Sequence, residues 1–189
     1  MNTIYKIAVI SFIITFALTS NLYGAKIQGV YFDESYTADE TNLKLRGTGL
    51  LRYLKFIKAY VGAFYLDENS TIDEALTDRA KRIEVQYFQA IKGKDFGPAT
   101  SKSIAKNVDP ETFERLRPQI EYHNSLYVDV QPGDRYSLTY IPGRGTELAL
   151  NGEPRGIIEG AEFAAALFSI WIGREPIDTS FKNQILGSV

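Results

Sequence analysis

The sequence predicts one domain of the α+β class, and three observations carry that reading. Between Gly133 and Gly152, apolar and polar side chains alternate on either side of turn signals, as in an antiparallel hairpin. From Phe163 to Ile172 the apolar residues recur at helical spacing instead, so the period changes within one continuous stretch. Strand patterns come early and late in the chain, and the helical patterns cluster on one side.

In chain order, Lys26 to Phe32 (KIQGVYF) predicts a first strand, followed by an acidic polar loop from Asp33 to Thr41. Leu43 and Leu45 alternate with Lys44 and Arg46 in a second strand. The run GTGLLRYLKFIKAYVGAFYL, Gly47 to Leu66, is too aromatic and β-branched for a helix. It predicts a break at Gly47 and Gly49, then one long strand or a bent pair ending at Tyr65 and Leu66. Asp67 to Ser70 turns the chain, and Ile72 to Leu76 is a short helix or loop. Lys81 to Gln89 is a strand with Ile83, Val85 and Tyr87 on one face.

Lys94 to Asn107 is a helix with Asp95 near its start. The next helix opens with Asp109 as N-cap and Pro110 in first position, with Glu111 and Glu114 in its opening turns. Its apolar side carries Phe113, Leu116, Ile120 and Tyr122. Val128 to Val130 is a candidate short strand. Tyr136, Leu138 and Tyr140 then alternate with Ser137 and Thr139, and Pro142 to Gly145 closes a hairpin onto Leu148 and Leu150. Asn151-Gly152 is a strong two-residue hairpin signal. The apolar helix over Phe163–Ile172, stopped by Gly173, should lie buried against a sheet. Asp178 caps a last amphipathic helix bearing Phe181, Ile185 and Leu186.

The first residues read as an export signal. Lys6 supplies a positive charge, and Ile7 to Leu18 form an apolar stretch too short to span a bilayer comfortably. Cleavage after Ala25 would give a signal peptide over 1–25 and one domain over 26–189, periplasmic or secreted; the alternative is an uncleaved anchor. No stable membrane span is expected after cleavage. The net charge of −2 and the absence of any run of Lys or Arg argue against nucleic acid as a partner. With no cysteine, thiol catalysis, thiolate metal sites and disulfides are excluded.

Few residues carry a chemical signal. The lone His123, near the end of a helix, cannot make a multi-histidine metal site and reads as an ordinary surface or capping residue. Gly47-Thr48-Gly49 and Gly143-Arg144-Gly145 lack the Lys-Ser/Thr of a phosphate loop and read as bends in a curved sheet. Arg52 stands among Tyr53, Leu54, Phe56, Ile57, Tyr60 and Val61. A cation among apolar walls must reach water, pair with an acidic neighbour, or hold an anion, and its planar fork suits a carboxylate or enolate oxygen.

The blocks GTGLLRYLKFIKAYVGAFYLD and GDRYSLTYIPGRGTELALNGEPRGIIEGAEFAAALFSIWIGREPID resemble the chalcone isomerase-like proteins of bacteria, and the likeness runs over roughly Gly29 to Leu186. The resemblance implies an open-faced β-sandwich: a large antiparallel sheet, helices packed on it, and a ligand cleft between them. Plant enzymes of this superfamily cyclise chalcones to flavanones, whereas relatives of the same fold bind fatty acids without isomerase activity. Both use an Arg in the glycine-led strand, which Arg52 resembles with one extra residue after Gly49. The family's Asn matches Asn107, its strand Thr falls at Tyr60, its helix Tyr near Thr100, and its late-helix Ser or Thr near Ser169.

Two hydroxyl residues have thus changed type, and ring closure needs near-attack geometry that a changed pocket would lose. With the export signal read above, the resemblance therefore implies an exported, non-catalytic protein that binds a hydrophobic small-molecule acid, without metal or cofactor. Its ligand-binding residues would be Arg52, Tyr60, Thr100, Asn107 and Ser169, with Arg52 and Tyr60 or Tyr65 gripping the acidic end. One alternative is an intramolecular isomerase or lyase on a chalcone-like enone, with Arg52 stabilising the oxyanion and Tyr60 and Asn107 orienting water or substrate. The other is a structural protein whose cleft is filled by its own side chains.

Overall fold

The computed structural model describes residues 23–187 apart from residue 55. The expected signal peptide lies almost wholly outside the described residues. A cut after Ala25 would fall inside the first strand, which runs Tyr23–Ile27.

Seven strands form one antiparallel sheet in simple sequential order: β3 (Ser35–Ala38), β4 (Thr41–Tyr53), β5 (Ile57–Asp67), β6 (Lys81–Tyr87), β7 (Arg135–Ile141), β8 (Gly145–Leu150) and β9 (Glu153–Ile158). The sheet curls, and four helices accompany it: α1 (Gly93–Ala105) and α2 (Pro110–Ser125) between β6 and β7, α3 (Ala161–Ile172) and α4 (Thr179–Ile185) after β9. A separate hairpin, β1 (Tyr23–Ile27) and β2 (Val30–Asp33), completes the fold.

The expected first strand, Lys26–Phe32, is thus two strands. Gln28 and Gly29 both take positive φ, 51° and 86°, as a tight two-residue hairpin requires, and the chain doubles back on itself. The expected loop over 33–41 contains β3, which pairs Ser35–Ala38 with Thr41–Lys44. Val128–Val130 contributes only an isolated bridge from Val130 to Ile91.

The largest correction concerns Gly47 and Gly49. β4 runs through both, its pairing with β5 shifting register between Leu45 and Gly47, and the turn comes only after Tyr53, so Arg52 lies near the end of one strand and Tyr60 on the next. The glycines are where α4 sits. A Cβ at Gly47 would stand 2.3 Å from the Gln184 carbonyl oxygen, and one at Gly49 would stand 2.9 Å from the Phe181 ring. Gly62, facing them on β5, would place a Cβ 2.7 Å from the tip of that same ring. Gln184 also accepts the Leu50 amide proton through Oε1 at 3.1 Å, satisfying a strand edge that β3 does not reach.

Both faces of the sheet are covered. On β5, Tyr60, Phe64 and Leu66 face the helices, while Val61, Ala63 and Tyr65 face a second cluster with Val30 and Phe32 of the β1–β2 hairpin. Arg82, Glu84 and Arg135 lie on this second face. Glu84 takes Arg82 Nε at 2.9 Å and Arg135 Nη1 at 2.8 Å, and the two guanidinium groups lie over the Tyr36 and Phe32 rings. Such pairing compensates for desolvating these charges.

Candidate functional site

A cleft of about 190 Å³ opens between the β5–β6 end of the sheet and helices α1 and α3. Its walls are mainly aromatic and aliphatic: Tyr60 and Tyr87 from the sheet, Phe96 from α1, Tyr127 after α2, Ile170 and Trp171 from α3, and Ile177 beyond it. The rings are held by one another. Phe96 stacks on Tyr127 with centroids 4.8 Å apart, and Tyr87 meets Tyr60, Phe96 and Tyr136 edge to face. On α1, Phe96, Thr100 and Ser103 form a stripe at helical spacing, aromatic first and hydroxyl after.

Tyr60 is the polar centre of this wall. Its phenolic oxygen accepts Trp171 Nε1–H at 3.1 Å, and its ring meets Phe181 edge-on at 5.4 Å. Burial pushes the Tyr60 phenol well above its ordinary range; the Trp171 bond opposes the rise and Asp178 adds to it. Tyr60 therefore stays protonated, and among the described residues no acceptor takes its hydroxyl proton. Tyr87 and Tyr127 are raised by the same cause, with Thr100 partly offsetting the shift at Tyr127. Among the described residues, Asp95 is the only charged one lining the cleft.

A second groove, of about 420 Å³, is lined by Leu50, Arg52, Asp178, Ser180 and Gln184. Consecutive residues line the two hollows, Ile177 the first and Asp178 the second.

The expected site residues are thus only partly together. Tyr60 and Thr100 share the cleft. Arg52 is exposed in the second groove and makes no ion pair among the described residues. Asn107 is committed to backbone: Nδ2 donates to the carbonyls of Ser103 and Glu175 at 3.1 and 2.9 Å, and Oδ1 accepts Glu175 N–H at 2.9 Å. Its amide fastens the end of α1 to the segment after α3. Ser169 is buried and donates to the Ala166 carbonyl at 2.6 Å within its own helix. Tyr65 points to the opposite face of the sheet.

His123 is no surface residue: it is fully buried between Tyr127 and Phe163, with neither ring nitrogen hydrogen-bonded. Burial lowers its pKa to about 4, a shift that the adjacent Asn124 side chain only partly opposes. Among the described residues there is no cluster of His, Asp and Glu able to hold a metal ion. Sequence reasoning missed Phe96 and Tyr127 as cleft walls. The 96/100/103 stripe was the available signal for Phe96; for Tyr127, in a connection, there was none.

A family profile described as chalcone isomerase-like matches residues 24–187. A comparison with curated proteins finds no match. Among solved structures, the chain is similar to a fatty-acid binding protein of Arabidopsis thaliana at 19% identity, covering 84% of this chain and 92% of the other, with a TM-score of 0.67.

Proposed function

The chain belongs to the chalcone isomerase-like family, and from that premise we propose that it is a non-catalytic binding protein for a hydrophobic small-molecule acid. The apolar body lies in the aromatic cleft, and the acidic end reaches Arg52 in the second groove. The observation that carries this reading is an apolar cleft whose central hydroxyl, on Tyr60, has a proton left to donate. At about 190 Å³ the cleft is smaller than the roughly 300–1,000 Å³ of drug-sized sites. A slender chain or a single ring suits it, and a longer ligand continues past Ile177 to the exposed guanidinium of Arg52.

Three features favour binding over isomerisation. Tyr60 is held protonated and is no base. The Asn107 amide is occupied by backbone partners. Arg52 lies outside the aromatic cleft, where an enone would react. A relative of the same fold that binds fatty acid supports a carboxylic acid as the ligand class. The charged, apolar start of the sequence supports export, with binding taking place outside the cytoplasm.

The test pairs a medium-chain fatty acid with the alcohol of equal length, measured by calorimetry on the full chain. Ala99 is exposed at the cleft, so Ala99→Trp should plug it without disturbing the core and weaken both ligands at least tenfold. Arg52→Ala should weaken the acid about fivefold, the modest value of an exposed charge contact, and leave the alcohol unchanged. Binding that ignores the Ala99→Trp plug would overturn the proposal.

A further inference from the structure

The β4–β5 hairpin overhangs the sheet. Its last regular pair with β6 is Tyr60 with Tyr87, and only single hydrogen bonds to Ala59 and Lys58 follow. On its other side, pairing with β3 ends at Lys44. The tip closes at the Tyr53–Ile57 pair. There Tyr53 is 62% exposed, Leu54 65%, Phe56 85% and Ile57 44%: four of the eight large exposed apolar residues among those described, gathered within five positions. Just behind them Arg52 and Lys58 face each other across the two strands. Like charges directly opposite are unfavourable, and neither residue makes an ion pair among those described. Asp178, which lines the groove beside Arg52, is the acid in this neighbourhood. This cationic pair stands out on a chain whose net charge is −2.

We propose that this tip docks the protein on an anionic lipid bilayer, its four apolar side chains entering the headgroup–acyl boundary and Arg52 and Lys58 meeting lipid phosphates. The order of residues suits that depth profile, since long basic side chains keep their heads at the interface while apolar neighbours go deeper. A second copy or a protein partner fits less well. A stable protein interface needs about 800 Å² from each side, and these four side chains at a hairpin tip offer less. A bilayer demands no matching shape, only apolar depth and negative charge. The surface shares Arg52 with the groove proposed to take the ligand's acidic end, but its four apolar side chains and Lys58 line neither hollow, so the tests below rest on those.

The experiment places a reporter at the tip itself. Phe56→Trp in the full chain is read against the wild-type signal of Trp171, the one native tryptophan. With vesicles of phosphatidylcholine and phosphatidylglycerol, the added indole should shift to the blue and be quenched by brominated acyl chains. Phosphatidylcholine alone should give a weaker response. Adding Lys58→Glu should raise the vesicle concentration needed roughly 30-fold, since it both removes an attractive charge and adds a repelled one. Three results would overturn the inference: an indole that stays water-exposed, even on protein that sediments with vesicles through another segment; insertion indifferent to Lys58→Glu; or a blue shift without lipid that grows with protein concentration, which would make the tip a contact between copies.

Discussion

Replacing Gly47 by alanine should lower the stability of the fold by about 3 kcal/mol, at the upper end of what overpacking usually costs. The new methyl group would meet the Gln184 carbonyl oxygen at 2.3 Å, the Ile185 carbonyl oxygen at 2.9 Å and the Gly187 nitrogen at 3.0 Å. All three are backbone atoms, so no rotamer change relieves the contact and α4 must lift away. Lifting α4 withdraws Phe181 and Ile185 from the core, where both are fully buried, and breaks the Leu50 N–H bond to Gln184. Alanine is favoured over glycine in a strand by roughly 0.5–1 kcal/mol, which offsets only a fraction of the loss. In urea the variant should unfold at lower concentration with little change of slope, and its melting temperature should fall by about 10 °C. The Leu50 amide should lose its protection from hydrogen exchange. Gln184→Ala, which removes the side-chain bond and leaves the glycine seat intact, should cost only about 1 kcal/mol. Wild-type stability in Gly47→Ala would mean that α4 is not seated on β4.

The second large effect is acid destabilisation through His123. In the unfolded chain its imidazole takes a proton near pH 6.5, but in the fold burial delays protonation to about pH 4. Between those values the unfolded state binds more protons than the native one, so stability must rise with pH across this window. His123 costs nothing at pH 7.5 and above. The penalty grows as pH falls through 6.5 and levels off below pH 4, at about 3 kcal/mol. The group sits against Tyr127 and Phe163 with both nitrogens lacking partners, so a protonated ring has no counter-charge to settle beside. Exposed carboxylates are held low by their partners, Asp109 by the Thr112 amide and Glu162 by Arg115, and lose that stabilisation as pH falls from the usual carboxylate range, at the acid end of this window. In His123→Leu the urea midpoint should become nearly flat between pH 7 and 5.5. A slope that survives the substitution would place the responsible group elsewhere.

The sequence alone determined much of this fold. The three strands β7 to β9 were legible because their turns rest on local chemistry: glycines at 143 and 145, and Asn151-Gly152, all at positive φ. α2 was legible from its cap, with Asp109 accepting the Thr112 amide at 2.9 Å and Pro110 in first position. α3 was legible from its period and buries eight of its twelve residues, as an all-round apolar helix should.

Where the fold went unread, the cause is long-range. From Tyr60 to Leu66 every residue of β5 is buried, because the helices cover one face and the β1–β2 hairpin the other. A strand covered twice shows no alternation, so nothing local marked where Gly47–Leu66 divides. Gly47 and Gly49 read as breaks because the helix that needs them lies more than 130 residues further along the chain. The site divides in the same way. Residue type singled out Arg52 as a ligand contact, and the family resemblance pointed to Tyr60 and Thr100. Only packing decided that Tyr60 and Thr100 share an aromatic cleft with Phe96, Tyr127 and Trp171, while Arg52 waits in the second groove. Turns, caps and periods depend on neighbours in the chain and are written there. A cleft depends on which distant side chains meet, and that is settled only when sheet and helices close on each other.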